Sequence, residues 1–182
     1  MEQRKGDWIE TYTGVQFFPF DPVPGEIKIE DIAHALSLIC RYNGHCKHFY
    51  SVAQHSLNVY QVLKDAYPTD YQLQLAGLLH DAAEAYICDI CRPVKRQLFG
   101  YKDIEDRLDL VICQVFGIDY YSAAHLIVKT ADDLVLNAEA VQLMGGHWAK
   151  PNDLKIDIVE RLPREVEYKF LQIFHDLRLS MN

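Results

Sequence analysis

Thr69-Asp70-Tyr71-Gln72-Leu73-Gln74-Leu75-Ala76-Gly77-Leu78-Leu79-His80-Asp81-Ala82-Ala83-Glu84-Ala85-Tyr86 is the stretch on which the fold of this chain turns. Leu75, Ala76, Leu79, Ala82 and Ala83 recur at three- and four-residue spacing, which predicts a helix capped at Thr69 and running toward Tyr86. An adjacent His-Asp pair and a glutamate interrupt that apolar pattern. On a continuous helix His80 and Glu84, four apart, share a face. Imidazole and carboxylate together suit a divalent metal of borderline hardness. Two adjacent ligands cannot close a coordination shell, so further ligands must come from elsewhere in the chain.

Outward from this stretch the pattern stays helical. Ile29 to Arg41 reads as one helix, with Glu30 and Asp31 near its start, where the helix dipole favours acids. Phe49 to Ala66 reads as a second, ended by Pro68. Downstream, Pro93 interrupts a segment, Tyr101 to Phe116 is closed by Gly117, Ser122 to Met144 is closed by Gly145-Gly146, and Glu165 to Leu179 ends the pattern. The first residues differ. Trp8 to Tyr12, the turn Thr13-Gly14, and Val15 to Phe18 read as a short β-hairpin, followed by the turn-rich Phe20 to Gly25. The expectation is an all-α helical bundle: a hairpin and linker over residues 1–28, and a helical domain over 29–182.

Composition bounds the function. The chain has 182 residues, 49% apolar and 24% charged, as ordinary globular proteins do, and suits one compact domain. No apolar run is long enough to span a bilayer and the opening is polar, so the expected compartment is the cytoplasm, with no membrane partner. The formal charge of −8 disfavours a nucleic-acid polymer or an anionic membrane surface. A small anionic ligand is still allowed, since Arg41, Lys47, Arg92, Lys95 and Arg96 can build a local cationic pocket. The five cysteines read as reduced thiols. Cys88 and Cys91 form a single C-x-x-C with no second pair to complete a zinc site.

The missing ligands have two sources. His55 lies in Tyr50 to Ser56 on the second helix, and Asp132, with Asp133 competing for the role, lies in Lys129 to Leu134 on a late one. Three helices can then converge on one ion, and His55, His80, Asp81 and Asp132 leave positions open for water and a substrate oxygen, as a catalytic rather than a structural site requires. His175-Asp176 lacks a glutamate at the same offset and reads as a surface pair. His45 and His48 flank the pocket segment; His34, His125 and His147 read as structural.

The combination Arg41-Tyr42, Ser51-Val52-Ala53-Gln54-His55, His80-Asp81-Ala82-Ala83-Glu84, Asp89 and Pro93-Val94-Lys95 resembles the HD-domain phosphohydrolase superfamily, and most of all its small bacterial and prophage-encoded 5′-deoxynucleotidase group. The resemblance covers roughly residues 29 to 140 and is specific, where a His-Asp pair alone is weak. It implies an HD-type bundle, one divalent metal (Mn, Co, Mg, Zn, Ni or Fe) held by His55, His80, Asp81 and Asp132, catalytic roles for Glu84 and Asp89, and substrate contacts from Arg41, Tyr42 and Lys95. The family pattern has a tryptophan, which helps reject ribose, where this chain has Tyr42.

The expected reaction is hydrolysis of a nucleotide phosphate, first a (deoxy)nucleoside 5′-monophosphate. The alternatives are a (deoxy)nucleoside triphosphate cleaved to nucleoside and triphosphate, or a non-catalytic regulator that binds nucleotide or protein through the same fold. A hydrolase of stringent-response nucleotides is disfavoured, because Ala85 rather than an acid follows Glu84. A homodimer is compatible with this reading. Glu84 can orient or deprotonate water, Arg41 offers a planar fork for phosphate oxygens, and Asp89 can protonate the leaving oxygen if its pKa is raised.

Overall fold

The computed structural model describes residues 4–119, 124–150 and 152–181. The fold is all-α with a short N-terminal hairpin, as the periodicity predicts. The hairpin strands are β1 (Ile9–Glu10) and β2 (Gln16–Phe17), antiparallel, with Ile9 opposite Phe17. Eight α-helices follow among the described residues: α1 (Ile29–Leu38), α2 (Val52–Ala66), α3 (Tyr71–Leu78), α4 (Glu84–Ile87), α5 (Arg92–Lys95), α6 (Tyr101–Phe116), α7 (Ala124–Glu139) and α8 (Pro163–Ser180). None is long and apolar enough to cross a membrane.

α2 is the central element, packed against α1, α3, α7 and α8. Its first half is buried almost continuously, Val52 to Ser56, so polar side chains there must find internal partners. Ser51 caps it by accepting from the Gln54 N–H at 3.1 Å. The hairpin closes one end of the core: Phe17 is fully buried and stacks on Tyr86, ring centroids 4.1 Å apart. Asp31 sits in the first turn of α1 as the pattern requires. It also fastens the hairpin, accepting from Thr13 N–H at 2.7 Å and Thr13 Oγ1 at 3.0 Å.

Three departures from the periodicity matter for the site. The first predicted helix stops at Leu38 instead of reaching Arg41. Ile39 and Cys40 are extended and Arg41 opens a short 3-10 turn to Gly44, Arg41 N–H bonding Tyr50 O at 2.9 Å and Val52 N–H bonding Ile39 O at 3.0 Å. Tyr42 and Asn43 then take left-handed φ of 57° and 51°, a strained choice for non-glycine residues that turns the loop sharply. The third helix is capped by Asp70, not Thr69, and ends at Leu78. From Leu79 the backbone tightens into bonds three residues apart, Ala82 N–H to Leu79 O and Glu84 N–H to Asp81 O, both 3.0 Å. In this geometry residues i and i+3 eclipse, so Glu84 stacks behind Asp81 and not over His80 as on a continuous α-helix. Last, α7 becomes a wider π turn at Ala140–Met144 before Gly145 closes it at φ 97°, and Lys47 caps two freed carbonyls, those of Leu143 and Gln142. The predicted start at Ser122 lies outside the described residues. Pro93 does not interrupt a helix; it sits in the first turn of α5, where its missing N–H costs nothing.

The approach of α3 to α2 depends on Gly77. A Cβ there would overlap Leu63 Cδ1, and Leu63 is 1% exposed, so a buried side chain must shift to make room. Helix propensity alone says Gly77→Ala stabilises by about 1 kcal/mol. The contact reverses the sign: the variant is expected to lose about 1–3 kcal/mol through overpacking. Urea denaturation checks it, and a midpoint at or above wild type contradicts this packing.

Candidate metal centre and cavity

Gly77 sets the α2–α3 distance, and with it the separation of His55 and His80. The two rings face each other edge to edge, His55 Nε2 standing 3.3 Å from His80 Nε2. The far nitrogen of each ring is committed. His55 Nδ1–H donates to Glu139 Oε1 at 2.7 Å, and His80 Nδ1–H donates to the Gly77 carbonyl at 2.9 Å. Those partners fix the tautomers and leave a bare lone pair on each Nε2, the arrangement that carboxylate or carbonyl partners impose on metal-ligating histidines. Two lone pairs 3.3 Å apart repel unless a positive charge lies between them.

Carboxylates complete the set. Asp81 Oδ2 lies 3.2 Å from His80 Nε2 and 3.7 Å from His55 Nε2; Asp132 Oδ1 lies 3.2 Å from His55 Nε2 and 4.0 Å from His80 Nε2. Donors bonded to one ion at about 2.0–2.2 Å stand roughly 3–3.5 Å apart; the 3.2 Å spacings match this, and the 3.7 and 4.0 Å ones are wider. His55, His80 and Asp81 form a group that can hold a metal ion. Burial alone would raise the carboxyl pKa values, but His80 and His55 outweigh it for Asp81, and His55, His80 and Lys129 do so for Asp132, holding both well below the usual range. Burial and Arg41 would lower the His55 pKa, yet Glu139 and Asp132 push it up to about 9. The acids that attract a metal attract a proton when no metal is bound. Asp133 is half exposed and pairs with Arg92 and Lys129, so the convergent residue is Asp132.

A cavity of about 800 Å³ opens over this cluster, lined by Arg41, Tyr42, His80, Asp81, Glu84, Asp89, Lys95 and Asp132 on one side and by α6 and α7 side chains on the other. His55, with no exposure, lies beneath the lining.

Two curated relatives match the chain over nearly its whole length. One is the uncharacterized protein YfdR of Escherichia coli, 35% identical over 178 residues, covering 93% of this chain and 95% of that one. The other is an uncharacterized protein of Rhodobacter capsulatus, 37% identical over 194 residues, covering 98% of this chain and 99% of that one. The chain belongs to the same family as these two proteins. No protein-family model matches it. The names of these two relatives state no activity.

The cavity gathers every expected metal ligand, catalytic residue and substrate contact except His55, but not all in the expected posture; Lys47 and Arg96, the other candidates for a cationic pocket, do not line it. Arg41, 7% exposed, lies 3.6 Å from Asp81 Oδ2 and 3.3 Å from Glu139 Oε2, and its buried Nε has no hydrogen-bond partner. Glu84 is 6% exposed, its Oε2 also buried without a partner. Burial, then the charges of Asp81 and Asp89, drives its pKa well up. Burial likewise raises Asp89, against the opposing pull of Arg41. Tyr42 donates its hydroxyl to Glu139 Oε2 at 2.6 Å, and Lys95 is paired with Glu105. His48 bonds Ile158 O at 2.6 Å instead of entering the cavity, whereas His125, read as structural, lines it. Gln54 holds the extended chain near Val159, at 2.8 Å to its carbonyl. His175 and Asp176 are exposed on α8, as expected of a surface pair.

Sequence reading missed Glu139. It is fully buried and lies two helical turns past Asp132, on the face of α7 that also buries Val135 and Ala138. An acid on an apolar buried stripe was the available signal. The α6 wall was missed too: Glu105, Asp106 and Asp109 enter the cavity, and burial followed by Glu105 pushes Asp109 up to about 8.

Proposed function

We propose that this protein is a metal-dependent phosphohydrolase of the HD-domain type that releases phosphate from (deoxy)nucleoside 5′-monophosphates. The observation that carries the reading is the convergence of two imidazole Nε2 atoms and two carboxylates beside a cavity that Arg41 and Glu84 also line. The motif string from Arg41 to Lys95 supports the HD assignment. His55, His80, Asp81 and Asp132 would hold one divalent ion. When bound, such an ion polarises a phosphoryl oxygen and acidifies water.

The chain's own groups supply the rest. Phosphoryl transfer needs mainly positioning and charge neutralisation. Arg41 presents a rigid fork, pre-aligned by Glu139, for non-bridging phosphate oxygens. Glu84, which lines the cavity and whose basicity burial raises, accepts a proton from the attacking water. Asp89, whose pKa burial also raises, delivers a proton to the departing ester oxygen. The choice of a monophosphate follows the motif string from Arg41 to Lys95, which resembles that of the 5′-deoxynucleotidases.

Incubation with Mn, Co, Mg or Zn and a panel of nucleoside mono-, di- and triphosphates tests this. At least one deoxynucleoside 5′-monophosphate is expected to yield inorganic phosphate, and EDTA to stop it. Release of triphosphate without monophosphate turnover would replace the reaction. No turnover of any nucleotide with any metal would make the protein a non-catalytic binder.

A further inference from the structure

Glu139 divides its two oxygens between two sites. Oε1 accepts from His55 Nδ1–H at 2.7 Å and from the Tyr50 hydroxyl at 2.8 Å. Oε2 accepts from the Tyr42 hydroxyl at 2.6 Å and faces Arg41 Nη2 at 3.3 Å. One oxygen thus orients the histidine of the metal cluster and the other orients the arginine-tyrosine pair that faces the cavity. The carboxylate is fully buried, and such a charge persists only where donors surround it.

We infer that Glu139 is a positioning residue that couples the metal site to the anion site, so that removing its charge weakens both together. The inference rests on the phosphohydrolase reading, in which Arg41 receives phosphate. Its chemistry is specific. A glutamine in this place has one acceptor and one donor. However its amide turns, one side meets an N–H where it needs an oxygen, and the other keeps an acceptor without charge. Metal affinity falls because the histidine loses its anionic partner, and phosphate affinity falls because Tyr42 and Arg41 lose theirs. Arg41 also touches Asp81, a member of the metal cluster, at 3.6 Å. Without Glu139 it is drawn wholly to Asp81 and away from an incoming anion.

Calorimetric titration of the full-length protein with Mn²⁺, and of the Mn²⁺-saturated protein with inorganic phosphate, tests this without using turnover. Glu139→Gln is expected to weaken Mn²⁺ binding by about 10–100-fold, the usual effect of losing such a partner. It should also weaken phosphate binding by about 10-fold, the size of one lost charge-assisted hydrogen bond. The visible spectrum of the Co²⁺ form should shift with it. Glu139→Asp, which restores charge with a shorter reach, should recover part of both affinities. Tyr42→Phe removes one of the two partners of Oε2, leaving Arg41 there, and should weaken phosphate while leaving Mn²⁺ unchanged; it carries the test if Glu139→Gln fails to fold. Wild-type affinity for either ligand in Glu139→Gln, or for phosphate in Tyr42→Phe, overturns the coupling. So does a wild-type protein that binds Mn²⁺ but no phosphate. Nucleotide hydrolysis is read separately, so either conclusion can fail while the other stands.

Discussion

Alanine at His80, or at Asp132, is expected to leave the purified protein without bound metal and with turnover no higher than that of EDTA-treated wild type. Each residue contributes a donor atom within 4.0 Å of the other's, His80 from the turn after α3 and Asp132 from α7. His80→Ala also leaves His55 Nε2 facing only carboxylates, which favours a proton there over an ion. A lost ion removes several kcal/mol of transition-state stabilisation, a rate loss on the order of 10³-fold or more. His175→Ala is the matched control, because the second His-Asp pair is exposed on α8. Elemental analysis beside phosphate-release kinetics reads all three proteins. Full metal occupancy in both His80→Ala and Asp132→Ala would refute the ligand assignment.

Glu84→Gln is expected to behave differently, keeping its metal while losing on the order of 10²-fold or more in turnover, as removal of a general base does. Glu84 follows Asp81 through the tightened turn and lines the cavity. Stability supplies an independent check. The folded pKa of this acid is raised above its unfolded value, so the folded state binds more protons between the two values and loses stability as pH rises through that window. Glutamine never ionises and escapes that loss. The melting temperature of the metal-free variant should therefore match wild type in acid and equal or exceed it near neutrality. Loss of metal in Glu84→Gln would make the residue a ligand; unchanged turnover would move water activation elsewhere.

Much of this architecture was legible because apolar spacing and punctuation agree. α6 ends where Gly117 takes a left-handed φ of 69°, and α8 begins at Pro163, two residues from the expected start. The hairpin was marked by alternation around Gly14. His55, His80, Asp81 and Asp132 were legible as chemistry, since polar donors on buried helix faces need partners. The break after Leu78 was hidden because Leu79, Ala82 and Ala83 fit a tight three-residue turn as well as an α-helix; tertiary packing chose between them. The strained turn at Tyr42 was equally silent, as neither Tyr42 nor Asn43 is a residue whose type demands φ above zero. The role of Glu139 was hidden for a different reason, although an acid on an apolar stripe marked the position. Its partners lie 84 to 98 residues upstream, at His55, Tyr50, Tyr42 and Arg41, and only the folded chain brings them together.

The central claim is that His55, His80, Asp81 and Asp132 share one divalent ion. Diffraction from crystals grown with Mn²⁺, recorded at the manganese absorption edge, tests it most directly. The expected result is one anomalous peak bonded to His55 Nε2, His80 Nε2, Asp81 Oδ2 and Asp132 Oδ1 at about 2.0–2.2 Å. A peak elsewhere, or none at a Mn²⁺ concentration that supports turnover, would contradict it.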